Sequence, residues 1–108
     1  MVLTVETFGK IVDDEIEALP LGLRARLVRV MEMVELIGLE RLREPHVKHL
    51  DGKLWELRAA GPEGIARGIY VTMVSRRVII LHVFVKKSQK TPATALEKAR
   101  QRLNQVKP

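Results

Sequence analysis

Basic side chains recur in the second half of the chain, where the sequence alternates as strands do. Four of them stand within or just after strand-like runs: Arg58, Arg67, Lys86 and Lys87. Because successive side chains of a strand point to opposite faces, Arg58 shares a face with Glu56. Arg67 is the one charge in an otherwise apolar row. Cations gathered on one sheet surface bind anions, so the pattern predicts a phosphate-binding surface.

The charge balance of the whole chain supports an anionic partner. The net charge is +6, but residues 1–20 carry one basic and five acidic residues, net −4, and the remainder carries +10. A basic domain favours polyanions because each neutralised phosphate releases condensed counterions, although high charge also serves solubility. No apolar run is long enough to span a membrane, and the N-terminus lacks a secretory pattern. We therefore expect a cytoplasmic protein with no membrane partner.

The basic residues also admit a purely structural role. A strand arginine is commonly solvated or salt-bridged, and Arg58 could simply pair with Glu56. Further candidates for nucleic-acid binding are three lysines and one aromatic residue: Lys48, Lys53, Lys90 and Tyr70. Tyr70 falls on the opposite face from Arg67, where it could stack on a base or fill the core. Trp55, beside an apolar turn, is predicted to lie in the core.

The histidines offer little metal chemistry. His46 and His49 stand in or near a loop, and a zinc site needs further ligands with a supporting shell. His82 lies in an apolar strand, either as a core histidine or as a proton carrier. The chain has no cysteine, no glycine-rich phosphate loop and no serine in a nucleophile elbow. The sequence predicts neither a metal nor another cofactor.

Helical periodicity marks both ends of the chain. Apolar spacing predicts helices over residues 9–19 and 21–37 and from Thr91 to about Val106, with the acids of the first helix facing water. Pro20 and Gly38 are stop signals for the first two helices. Thr91 is the predicted N-cap of the last helix, followed by a proline in its first turn.

Strand patterns occupy the middle of the chain. They predict strands over residues 47–50, 54–59, 65–74 and 77–85, with tight turns at Asp51-Gly52 and Ser75-Arg76. Residues 2–8 could be a short edge strand or an unpaired arm. Tight turns exclude parallel crossovers within this run, so it predicts an antiparallel β-meander of about four strands. The expected fold is a single α+β domain over residues 1–108, with two N-terminal helices and one C-terminal helix against one sheet.

Two of these segments carry a resemblance to a known family. The runs VKHLDGKLWELR (residues 47–58) and LHVFVKKSQKTP (residues 81–92), with the arginine strand IARGIYV between them, resemble the phage-derived HigB-like branch of the RelE/ParE toxin superfamily. The segment DEIEALP before the second helix fits the same pattern. The resemblance covers about residues 15–102, and it implies a RelE-like fold.

The resemblance also implies a function. It implies a toxin of a type II toxin–antitoxin system that cleaves messenger RNA on the ribosome without a metal, by attack of a 2′-hydroxyl on the adjacent phosphate. It further implies a helix-turn-helix antitoxin of the HigA type. The matched positions are Arg58, Arg67, Lys86, Lys87 and Lys48, with Arg67 at the scissile phosphate. The chain lacks the C-terminal tyrosine of RelE, which leaves Glu56 or His82 as the candidate general base.

Three functions are therefore compatible with the sequence. The first is the ribosome-dependent mRNA endonuclease. The second is a gyrase inhibitor of the ParE kind on the same scaffold, and the third is a non-catalytic RNA-binding module of a prophage. Supercoiling by gyrase, RNA cleavage and salt-sensitive RNA binding distinguish them.

Overall fold

The helices and strands follow the predicted order, with one strand added at the start. A computed structural model describes residues 3–42 and 45–106. In that part of the chain the elements are β1 (Thr4–Thr7), α1 (Lys10–Glu17), α2 (Leu21–Ile37), β2 (Val47–Asp51), β3 (Leu54–Gly61), β4 (Gly64–Met73), β5 (Arg77–Lys86) and α3 (Ala93–Leu103). Single 3-10 turns follow α2 and β4. The α+β class and the three predicted helices are confirmed.

The sheet has a mixed topology rather than a purely antiparallel one. Its strand order is β1-β5-β4-β3-β2. The four strands from β2 to β5 form the predicted antiparallel meander. The count of about four strands was one short, because residues 4–7 pair in parallel with residues 77–80. The N-terminal segment is thus an edge strand, with Val2 outside the described residues.

The sheet is covered on both faces, as the apolar sequence of β5 predicts. On one face α2 packs over a core that includes Leu23, Leu57 and Ile80. On the other face α3 packs Ala95 and Ala99 over the apolar residues of β4 and β5. Trp55 was wrongly predicted to be core, since 39% of it is exposed. It lies on the first of these faces but beyond the cover of α2, in a groove beside edge strand β2.

Local signals fixed most of the element ends. The β4–β5 connection is the three-residue turn Val74–Arg76, in which Ser75 and Arg76 have left-handed φ values of 65° and 57°. The start of α3 differs from the prediction: Pro92 is its N-cap, and the Thr91 hydroxyl instead donates a hydrogen bond to Glu56. The helix also ends at Leu103, three residues before the predicted Val106. No helix in the described ranges is long and apolar enough to cross a membrane.

Candidate anion-binding site on the sheet

Two arginines lie side by side on the face of the sheet that α3 covers. Arg58 of β3 and Arg67 of β4 are directly paired across the two strands. Directly opposite residues of antiparallel strands have Cβ atoms about 4.5–5.5 Å apart, so two positive charges are held in contact range. Arg67 is fully buried and Arg58 is 8% exposed. These two residues are called the arginine pair below.

The loop between β5 and α3 closes over the arginine pair. The main-chain carbonyl oxygen of Gln89 accepts hydrogen bonds from Arg58 Nη2 at 2.6 Å and from Arg67 Nη1 at 3.2 Å. The Gln89 side-chain oxygen lies 3.3 Å from Arg58 Nη1. The carbonyl oxygen thus stands where two guanidinium groups converge, which is a position suited to a phosphate oxygen.

A buried carboxylate compensates part of this charge. Glu56, with no exposed surface, accepts a hydrogen bond from Arg58 Nε at 2.5 Å and one from the Thr91 hydroxyl at 2.8 Å. The ion pair predicted as an alternative role for Arg58 is therefore present, beside the shared contact with Gln89. Lys48 is directly across from Glu56 in the register of β2 and β3.

Arg67 is the residue with unmet hydrogen-bonding capacity. Its Nε and Nη2 atoms are buried and have no partner among the described residues. Burial lowers the pKa of Arg67, the Glu56 carboxylate opposes this change and the Arg58 charge adds to it. Arginine remains protonated in proteins, so a full positive charge with free donors lies beneath the loop. A buried cation with free donors is a candidate partner for an anion.

The predicted lysines divide into near and remote residues. Lys86 is paired with Ile65 across β4 and β5, which places it on the same face as the arginine pair. Lys87, the next residue, is exposed. Lys90 and Lys48 line a cavity of about 340 Å³ beside Gln89 and Thr91. Lys53 lies in the β2–β3 turn, five residues or roughly 17 Å along the strand from Arg58. The structure thus places Lys48, Lys86 and Lys90 on the side of the arginine pair, and Lys53 away from it.

The aromatic candidate lies on the wrong side of the sheet. Tyr70 pairs with Trp55 on the opposite face from Arg67 and is 2% exposed. Burial raises the pKa of its hydroxyl. Tyr70 fills the core, the second of its two predicted roles, and has too little free surface to stack on a base. The prediction that Tyr70 binds RNA is therefore corrected.

His82 belongs to a separate polar cluster at the edge of β5. Its Nδ1 lies 3.0 Å from Glu15 Oε1, and the same oxygen accepts the Val83 amide hydrogen at 2.9 Å. Arg102 of α3 lies 3.0 Å from the other Glu15 oxygen and donates to the Leu81 carbonyl at 2.8 Å. The acids of α1 were predicted to face water, and for Glu15 this was wrong: it caps the strand edge beyond the end of β1.

Burial and charge act in opposite directions in this cluster. Burial lowers the pKa of His82, although Glu15 partly opposes the change. Burial by itself would raise the pKa of Glu15, but hydrogen bonds from Arg102, the Val83 amide and His82 outweigh it and lower that pKa. The stable arrangement near neutral pH is a carboxylate that orients a neutral imidazole through Nδ1–H. No group of three metal-ligating side chains occurs in the described ranges.

Sequence reasoning missed three residues of these clusters: Glu15, Gln89 and Arg102. For Arg102 a signal existed, because it stands seven residues after Ala95 and thus on the buried stripe of α3. Glu15 had no local signal, since it is one of several acids on a short helix. The contacts of Gln89 depend on the path of a loop.

Fold and site together define a small α+β protein in which two neighbouring arginines on one face of a mixed sheet converge on a loop carbonyl oxygen. Residues 14–104 match the family described as phage-derived protein Gp49-like (DUF891). The chain therefore belongs to the phage-derived Gp49-like family. This membership is consistent with the toxin–antitoxin class that the sequence suggested, and it does not single out the HigB-like branch. No curated protein matches the chain.

Proposed function

We propose that this protein is the toxin of a type II toxin–antitoxin system and cleaves messenger RNA on the ribosome. The observation that carries the proposal is the arginine pair, whose two guanidinium groups converge on one oxygen atom. Membership of a phage-derived family supports the class. A ribosomal site of action implies a cytoplasmic protein.

The proposed reaction needs no metal. The ribose 2′-hydroxyl loses its proton to a general base, its oxygen bonds to the adjacent phosphorus, and the bond to the 5′-oxygen breaks. The leaving oxygen takes a proton from water, and a 2′,3′-cyclic phosphate remains. Arg58 and Arg67 would stabilise the charge that develops on phosphorus, and each such contact contributes about 10²–10³ in rate.

The geometry favours His82 over Glu56 as the proposed base. Both carboxylate oxygens of Glu56 are engaged, by Arg58 and by Thr91. His82 has its Nδ1 on Glu15, which leaves Nε2 directed to the other side of the ring at a small cavity. His82 is diagonal to Arg67 in the β4–β5 register, at a Cβ separation of about 7–8 Å that long side chains bridge.

Substrate binding in this proposal requires the loop over the arginine pair to move. A phosphate oxygen would replace the Gln89 carbonyl oxygen and also reach the free Nε and Nη2 atoms of Arg67. The four residues from Lys87 to Lys90 are exposed, so little buried surface opposes the movement. We further propose that a HigA-like helix-turn-helix antitoxin covers this face. A complex that leaves the loop and its lysines open would contradict that part.

The test is cleavage of a defined message by purified protein with translating ribosomes. We expect wild type and an Arg29→Ala control, altered on the far side of the sheet, to cleave, and Arg67→Ala to be reduced by about 10²–10³. Expression of Arg67→Ala should be tolerated where wild type arrests growth. Equal cleavage by wild type and Arg67→Ala would refute the site. Intact message with inhibited gyrase supercoiling would favour the ParE kind of toxin, and intact message with salt-sensitive binding a non-catalytic module.

A further inference from the structure

A second cavity lies on the same face as the arginine pair, between the end of β5 and the start of α3. Its volume is about 150 Å³. This volume is large enough for a phosphate group. The cavity, called the His82 pocket below, is lined by three residues of β5, by Pro92 at the start of α3 and by three residues of α3: His82, Phe84, Lys86, Pro92, Thr94, Ala95 and Lys98.

The pocket is open to the N-terminus of an eleven-residue helix. Helix α3 begins at Ala93, and no side chain of the described residues caps its first amide groups. The amide hydrogens of Ala95 and Leu96 go to the Pro92 carbonyl, which leaves the first two amides of the helix without that partner. Free amide hydrogens and the helix dipole favour an anion at this end.

A buried side chain supplies an independent sign of a ligand. His82 is 8% exposed, its Nδ1 is bound by Glu15, and its Nε2 has no partner among the described residues. The ring packs on Phe84 with centroids 5.1 Å apart, which fixes its plane. Because Nδ1 and Nε2 lie on opposite sides of an imidazole, the free nitrogen faces the pocket. Lys86 and Lys98 add two positive charges at its wall.

We propose that the His82 pocket binds a phosphate group of the RNA chain, with Lys86, Lys98, the first amides of α3 and His82 Nε2 as its ligands. That the phosphate belongs to RNA rests on the proposed function. That the pocket binds a phosphate group does not. In the proposed function the scissile phosphate lies at the arginine pair, so the phosphate in the pocket is the neighbouring one, on the other side of the ribose whose 2′-hydroxyl meets His82. A base must lie within hydrogen-bond reach of the proton it takes, and once Nε2 has taken the hydroxyl proton, Nε2–H donates to this neighbouring phosphate. Glu15 acts through the histidine as a positioning residue.

Anion binding in this pocket should couple to protonation of His82. The charged groups that face the ring are Glu15 from α1, Lys98 and Arg102 from α3, and Lys86 from its own strand. A doubly charged anion at Nε2 stabilises the imidazolium, in which Nδ1–H still donates to Glu15 and Nε2–H donates to the anion. Affinity for a dianion should therefore rise as the pH falls from 8 to 6.

The experiment follows the His82 ring resonances by NMR while inorganic phosphate is added. Inorganic sulfate, which stays doubly charged across this range, replaces phosphate in the pH series. We expect phosphate to shift the His82 signals in wild type and in the matched control Arg29→Gln. Lys98→Gln should bind roughly tenfold more weakly, equivalent to about 1.4 kcal/mol. The proposal is overturned if phosphate does not shift the His82 signals of wild type. It is also overturned if Lys98→Gln and Arg29→Gln lose phosphate affinity equally.

An RNA measurement separates the pocket from the proposed function. For a single-stranded oligoribonucleotide, Lys98→Gln should reduce the slope of log affinity against log salt by about 0.7, and Arg29→Gln should leave it unchanged. If phosphate shifts His82 while ribosome-bound message stays intact, the pocket stands and the endonuclease function fails. If Lys98→Gln and His82→Asn cleave message as wild type does, the function stands and the pocket fails.

Discussion

Replacing each arginine of the pair with methionine should change the free energy of unfolding in opposite directions. Replacing Arg67 with Met removes a buried charge that has two donors without partners among the described residues. Replacing Arg58 with Met removes the residue that binds both Glu56 and Gln89. Methionine is shorter than arginine but similar in volume, and the same replacement is made at both positions, so the packing change is comparable in the two variants.

The magnitude for Arg67→Met follows from two opposing contributions. Each unpaired buried donor costs about 1–3 kcal/mol, so its removal is favourable twice. The lost bond to the Gln89 carbonyl costs about 1.5–3 kcal/mol, as for hydrogen bonds to charged groups. The central expectation is a net stabilisation of about 2 kcal/mol. For a domain of this size that raises Tm by roughly 8–16 °C.

Arg58→Met should act in the opposite direction. It leaves the buried Glu56 carboxylate with only the Thr91 hydroxyl as a direct partner. Breaking a buried ion pair from one side costs about 3–5 kcal/mol. The two variants should therefore differ by roughly 5–7 kcal/mol in the free energy of unfolding, although both lose RNA cleavage by about 10²–10³ under the proposed function.

Urea unfolding followed by circular dichroism measures both variants without adding salt, which would screen the charges. A stabilised but inactive Arg67→Met would show that Arg67 is retained for function at the expense of stability. If Arg67→Met is less stable than wild type, or if both variants change stability in the same direction, the account of the arginine pair is refuted.

Three further predictions concern the groups around the two clusters. The pKa values of His82 and Glu15 lie below their ordinary values of 6.5 and 4.5, so the unfolded chain binds more protons than the folded one. The stability that these groups contribute is present above about pH 6.5. It should be lost as the pH falls, first below 6.5 and then below 4.5. Urea midpoints at pH 7.5 and 5 test this, and equal midpoints would contradict it. Thr91→Val should lower the free energy of unfolding by about 1–3 kcal/mol, since a buried oxygen of Glu56 loses its donor, while Thr94→Val serves as an exposed control. Gly61→Ala should cost about 1–3 kcal/mol by urea unfolding, because its Cβ would crowd two side chains of α2, whereas Gly9→Ala has open space.

The sequence predicted the elements of this fold because their signals are local. Helical spacing and the stops at Pro20 and Gly38 gave α1 and α2 within two residues of their observed ends. The turn residues at Asp51-Gly52 and Ser75-Arg76 defined the meander. The N-terminal strand stayed ambiguous because its partner, β5, lies about seventy residues later, and four residues carry too little pattern to reveal it.

The placement of Arg58 and Glu56 on one face, and of Arg67 opposite Tyr70, followed from the two-residue period of a strand. That period is a property of the extended backbone, so the sequence by itself determined which side chains of β3 and β4 share a face. Strand register then placed Arg58 against Arg67, and the path of the β5–α3 loop placed Gln89 above them.

Only the tertiary structure decided the surroundings of His82. Its partners Glu15 and Arg102 stand 67 and 20 residues away in the chain, on helices at opposite ends of the sequence. Spacing within a helix or strand carries no information about such meetings, because they arise from packing of whole elements against the sheet. The sequence thus determined a basic sheet face and its arginines. Packing decided that Arg67 is buried beneath a carbonyl oxygen and that His82 faces a separate pocket with one nitrogen free.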